Sequence, residues 1–242
     1  MATDFSKITP CGGDCRSCEH FKSGVCEGCL KNGGKCVHMW ENGCKIFSCC
    51  EKHNVKFCGL CGEFPCDYVK TNMTKWDSGV IERLEKLGAE YRKKESEFSE
   101  QCQKLWERID THGVMVLSTC ADGRVTSRPM SVVVIEGKFY CQTDENYLKY
   151  KQLMQNENAA LCVKNFSVEG KCHSIGKPVD NDFFVSAMRK NFENAVERWS
   201  SLTSEKVLEI TPTLIYSWNY ENDMPCMEYW DFENLTYRKE YK

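Results

Sequence analysis

The sequence predicts an α+β, mainly β protein in which a small cysteine-rich, metal-held domain precedes a small closed β-barrel. Three observations carry this. Twelve of the 18 cysteines fall within the first 66 residues. An amphipathic helical stretch follows them. From Val114 onward, short strands alternate with turn dipeptides and a few helices, the pattern of an antiparallel sheet that closes on itself.

The cysteine segment comes first. Residues 1–70 are poor in aliphatics and rich in Gly, with turns such as Asn32-Gly33-Gly34. Such a segment cannot bury enough apolar surface to fold on a hydrophobic core alone, so thiolates bound to metal are expected to hold it. Cys15-x-x-Cys18, Cys26-x-x-Cys29 and Cys58-x-x-Cys61 have the spacing that lets a tight turn bring two sulfurs to one metal. Cys11, Cys44, Cys49 and Cys66 add further ligands at short spacings. Zinc and iron–sulfur clusters both accept four thiolates, so twelve cysteines could make three zinc sites, or two [4Fe–4S] clusters with four spare. Cys49 and Cys50 are adjacent and would strain to ligate one metal together. His20, His38 and His53 read as solvated loop histidines.

The bulk composition narrows the function classes. A formal net charge of −3 gives no reason to expect nucleic acid or an anionic membrane as partner. No apolar run approaches the roughly 18 residues of a spanning helix. The N-terminus lacks the apolar core of a secretory signal, so a reducing, cytoplasmic compartment is expected and disulfides are the weaker reading of the cysteines.

From Ser78 to Arg108, Ile81, Leu84, Leu87 and Tyr91, then Phe98, Cys102, Leu105 and Ile109, recur at helical spacing. They read as two amphipathic helices joined near residues 94–99, or as one long solvated helix. The resulting domains are 1–70, a helical linker 71–97, and 98–242. In the last, strands are predicted over 114–120, 125–135, 138–143, 159–163, 168–175, 207–218, 227–232 and 235–240, with helices over 148–154 and 182–199. Asp122-Gly123 and Glu136-Gly137 each suit a tight hairpin.

Two resemblances add to this reading. The run Cys11-Gly12-x-x-Cys15-x-x-Cys18, Cys26-x-Gly28-Cys29, Cys44-x-Ile46-x-x-Cys49 and Cys58-x-x-Cys61-x-x-Phe64-Pro65-Cys66 resembles an uncharacterised cysteine-rich bacterial and archaeal domain family. The resemblance implies that these ten cysteines matter most and that Cys36 and Cys50 are additions. The run from Leu117 through Ser127-Arg128-Pro129-Met130-Ser131, then Phe139 to Thr143 and Lys149 to Leu153, resembles the pyridoxamine 5'-phosphate oxidase-like, FMN-binding split-barrel superfamily. The segment from Leu208 to Trp218 is similar to that family's penultimate strand. The resemblance implies an FMN-binding split β-barrel, a homodimer with cofactor at its interface, and FMN contacts at Arg128, Met130, Ser131, Gln142, Thr143, Lys149 and Gln152. Trp218 could approach the flavin from a partner subunit.

The residue chemistry agrees independently. An FMN phosphate needs compact cationic and hydroxyl donors, which Arg128 and Lys149 can supply. Pro129 marks an edge or bulge that could re-aim Arg128 toward a ligand, and Lys149 opens a helix whose free N–H groups suit a phosphate. His173 is a candidate proton donor. The oxidase's own arginine- and histidine-containing substrate motif is not evident at the C-terminus, which makes pyridoxamine phosphate a poor substrate. A flavin barrel beside a thiolate domain favours iron–sulfur over zinc. The expectation is an FMN-dependent oxidoreductase that takes single electrons from a ferredoxin-like donor and reduces a small acceptor. A zinc-stabilised flavin-binding or sensor protein without turnover is the alternative.

Overall fold

The computed structural model describes residues 3–35, 43–109 and 112–242, in two compact units, Met1–Glu97 and Phe98–Lys242. Cys36 and His38 lie outside the described residues. The helices are α1 (Glu19–Lys22), α2 (Lys45–Lys52), α3 (Thr74–Trp76), α4 (Val80–Arg108), α5 (Leu148–Gln155) and α6 (Asp182–Trp199). Among the described residues no helix is long and apolar enough to cross a membrane.

The first unit is mostly turns and short helices, as its Gly content requires, but it does own a hydrophobic core. Phe5 and Phe57 stack at 6.2 Å, and the Tyr91 ring meets both edge-on at 5.0 and 5.8 Å. Ile8, Ile46, Val69, Met73, Val80 and Leu84 complete it. Val80, Leu84 and Tyr91 belong to α4, so the segment expected as a linker, 71–97, is part of this unit. The physical reason is the shortage of aliphatics in residues 1–70, which the apolar stripe of α4 makes good. Of the two readings of residues 78–108, the single long helix is the one that forms, without a joint near residues 94–99: α4 runs unbroken from Val80 to Arg108. Its charged middle consists of good helix formers, with Lys93 and Glu97 paired at 3.8 Å across one turn.

In the second unit eight strands form one antiparallel sheet: β1 (His112–Ala121), β2 (Arg124–Ile135), β3 (Lys138–Asp144), β4 (Asn158–Val163), β5 (Phe166–Ser174), β6 (Glu205–Glu221), β7 (Met224–Asp231) and β8 (Thr236–Tyr241). Their order is β3-β2-β1-β4-β5-β6-β7-β8, and a further β3–β6 pairing closes six of them into a barrel. The fold is thus a split β-barrel of α+β type. Both predicted hairpins form. Asp122 and Gly123 take φ 49° and 73°, Glu136 and Gly137 take 49° and 76°, the doubly positive geometry whose twist matches flanking strands.

Alternation then sorts the side chains. Val132, Phe139 and Cys141 fill the barrel with Leu117, Leu161 and Ile210. Val133 and Tyr140, on the opposite face, pack against Phe184 and Met188 of α6. This burial on both faces is why β2 and β3 carry near-continuous apolar runs. The residues of α4 from Phe98 on belong to this unit: Phe98, Leu105 and Ile109 join the barrel core. Trp230 Nε1–H donates to the Gln101 carbonyl at 3.2 Å, and Arg108 grips the buried Glu228 carboxylate with two hydrogen bonds, 3.0 and 2.7 Å.

Candidate functional site

A pocket opens where β2, β3, the start of α5 and the start of β6 meet, with α6 and the turn after it as its roof. Met130 and Ser131 of β2, Gln142 and Thr143 of β3, and Lys149 of α5 line it. All five were expected at a flavin site. The fold brings them together because β2 and β3 are hairpin partners and α5 follows β3 after a short turn. That turn is fixed by Asp144, whose carboxylate accepts from the Asn146 N–H at 2.7 Å and the Ser204 hydroxyl at 2.7 Å. These bonds, the Asn146 N–H first, hold the Asp144 carboxyl below its usual range.

Lys149 is the free cation of the pocket. Its ammonium lies 4.6 Å from the Tyr147 ring centre and has no hydrogen-bond or ion-pair partner among the described residues. Partial burial, and then the nearby Arg128 charge, lower its pKa, while the Cys141, Glu205 and Asp144 groups oppose this. An anion seated here would relieve the Lys149–Arg128 repulsion. Gln142 is oriented by its neighbours: its Oε1 accepts from Ser200 Oγ at 2.8 Å and its Nε2 donates to the Ala195 carbonyl at 3.5 Å. No side chain caps the N-terminus of α5. These features fit a flavin phosphate: an unpaired ammonium, hydroxyls of Ser131 and Thr143, and open helix N–H groups.

Other expected site residues lie elsewhere. Arg128 does not line the pocket. Its guanidinium donates to the Leu117 carbonyl at 3.2 Å and Thr119 Oγ1 at 2.8 Å, and bonds Thr126 Oγ1; these contacts answer the desolvation that lowers its pKa. Gln152 is a buried brace. Its Oε1 accepts from Thr119 and Thr126 at 2.7 Å each, and its Nε2 donates to the Arg124 carbonyl at 2.8 Å. Trp218 lies on β6 against the Tyr220 ring, under the Lys242 ammonium, outside the pocket of its own chain. His173 stands exposed on β5, 4.0 Å from Glu157, and does not reach the pocket.

Two pocket features were not anticipated. Glu205 is a buried carboxylate facing the pocket, pushed up to about 6 by burial and the Asp144 charge against the pull of Lys149. Trp199, half exposed at the end of α6, forms part of the wall.

In the first unit, Cys49, Cys50, Cys58, Cys61 and Cys66 line one cavity with His53. Burial, then the neighbouring Cys66, Cys49 and Cys61 sulfurs, push the Cys58 thiol up to about 12. Cys29 is likewise pushed up to about 12, by burial and then by Cys15, Cys11 and Cys44. Cys26 accepts from the Gly28 N–H at 3.4 Å, the turn geometry expected of a CxxC pair, and Cys18 is exposed. Among the described residues no three His, Cys, Asp or Glu side chains stand close enough to hold a single metal ion. Five thiols thus line one cavity without, among the described residues, converging on a point.

Residues 98–219, half of the chain, match the family described as Pyridoxamine 5'-phosphate oxidase. The chain belongs to that family, a flavin-binding group of oxidoreductase type. Residues 7–71 match a family described as Protein of unknown function (DUF3795). Among solved structures, the chain is similar to General Stress Protein 26 from Bacillus anthracis at 20% identity and TM-score 0.40, covering 47% of this chain and 90% of that one. It is also similar to a pyridoxamine 5'-phosphate oxidase-related, FMN binding protein from Nostoc punctiforme, at 14% identity and TM-score 0.40 over 53% and 86% of the two chains. A nimc/nima family protein from Clostridium acetobutylicum matches at 18% identity and TM-score 0.37 over 53% and 85%. No curated protein matches the chain.

Proposed function

We propose that this chain is a cytoplasmic iron–sulfur flavoprotein, in which the barrel holds FMN and the cysteine domain passes it single electrons for the reduction of a small acceptor. The observation that carries the flavin half is the unpaired Lys149 ammonium in a pocket shared with Ser131, Gln142 and Thr143, in a chain of a flavin-binding family. When bound, FMN exchanges one or two electrons. Lys149 would pair with its phosphate, with the Ser131 and Thr143 hydroxyls as further donors. Gln142, held by Ser200 and Ala195, offers a fixed amide to the ligand. Trp199 and Met188 add apolar wall to the pocket.

The iron–sulfur half is supported by five thiols that line one cavity of the cysteine unit. A cluster relays one electron at a time, and a ferredoxin-like protein is the fitting donor. A homodimer is supported by the exposed outer face of β1 and β2, where Val114, Val116 and Val125 are 61%, 41% and 67% exposed. A second copy is the occupant that would cover them.

The test is flavin occupancy. Wild-type protein should retain FMN through purification, and Lys149→Ala should lose most of it, with affinity falling about tenfold or more. Equal occupancy in the two proteins would place the phosphate elsewhere.

A further inference from the structure

The cavity lined by Cys49, Cys50, Cys58, Cys61 and Cys66 is walled otherwise by His53, Val55, Glu63 and Phe64. Three local structures aim the sulfurs at it. Successive helix residues lie about 100° apart, so α2 turns its two adjacent cysteines to different surroundings. Cys49 is exposed, whereas Cys50 is buried in the core with Ile46 and Phe57. The Cys50 sulfur has its own partner, the Pro10 carbonyl at 3.8 Å. The turn that follows places Cys58 and Cys61 together: Cys61 N–H donates to the Cys58 carbonyl, and Phe64 N–H to the Cys61 carbonyl, each at 3.1 Å. Cys66 closes the ring two residues later.

Among the described residues no three of these side chains stand close enough to hold one metal ion. One zinc ion draws four sulfurs to about 2.3 Å from a single point. Sulfurs set around a cavity suit a polynuclear cluster, in which each thiolate meets a different iron. The Cys50 sulfur is already paired with the Pro10 carbonyl, and His53 is an exposed residue ending α2.

We propose that this cavity seats an iron–sulfur cluster whose ligands are Cys49, Cys58, Cys61 and Cys66, with Cys50 and His53 outside the ligand set. The assignment rests on the iron–sulfur reading above and adds the ligands to it. It also separates the two adjacent cysteines, which spacing alone does not.

The experiment uses the full chain, reconstituted anaerobically with ferrous iron and sulfide and assayed for both, with visible absorption as a second readout. Cys49→Ala and Cys61→Ala alter side chains outside the hydrophobic core, and circular dichroism checks that each keeps native helix content before iron is counted. Each is expected to lose one cluster, about four iron per chain, with a matching loss of visible absorption. Cys50→Ala, checked by circular dichroism for native helix content, and His53→Ala are expected to keep the wild-type iron. Full iron in Cys49→Ala or Cys61→Ala would overturn the ligand set, as would loss of iron from a folded Cys50→Ala or from His53→Ala. Wild-type protein that takes up neither iron nor sulfide would instead overturn the iron–sulfur reading itself.

Discussion

Glu205 shows how a single side chain can set the pH response of a site. The folded protein holds its proton up to about pH 6 because burial and Asp144 disfavour the charge, whereas an unfolded chain releases it near 4.5. Between these values the folded state binds more protons, so stability falls as pH rises through the window, and the full penalty remains above it. Glu205→Gln should flatten urea midpoints between pH 4.5 and 6 and be about 1–2 kcal/mol more stable at pH 7. A wild-type midpoint that does not fall across that window would count against a buried, protonatable Glu205. Sequence reading finds Lys149 because a basic residue opening a helix has a stated use. Glu205 is missed because a glutamate at a strand start reads as a solvated end, whereas it is buried and lines the pocket with Leu202 and residues of α6. Arg128 is expected at the site from its sequence context, whereas its guanidinium bonds Thr119 and Thr126, partners that depend on the β1–β2 register, which composition does not display.

At the scale of elements, α4 makes a close approach within the first unit that only glycine permits. A Cβ on Gly88 would lie 2.6 Å from the Gly59 carbonyl oxygen, and one on Gly59 would lie 2.3 Å from the Leu84 carbonyl oxygen. Gly→Ala inside an exposed helix normally stabilises by about 0.5–1 kcal/mol. Gly88→Ala should do the reverse, lowering stability by about 1–3 kcal/mol, which a thermal melt would show; a raised Tm would mean that the helix does not seat there. The barrel strands are legible because their turns carry Asp-Gly and Glu-Gly and their faces alternate. The continuity of α4 is less so, since a run of Lys, Glu and Ser separates its two apolar stretches and looks like a joint. The role of its first half in the cysteine unit is hidden for a different reason: it depends on Phe5 and Phe57, far away in sequence.

At the scale of the molecule, two expectations concern assembly and cofactor load. The valines on the outer face of β1 and β2 would be covered in a dimer, so Val116→Asp should shift the protein toward a monomer in light scattering at micromolar concentration. An unchanged mass would move the interface to another face. The two-cofactor composition is the broadest statement and is tested by a single sample. Anaerobically purified full-length protein, analysed together for flavin, iron, zinc and sulfide, should contain about one FMN per chain with iron and sulfide in equal amounts. Zinc at about one per four thiols with no iron, or a colourless protein without flavin, would contradict it.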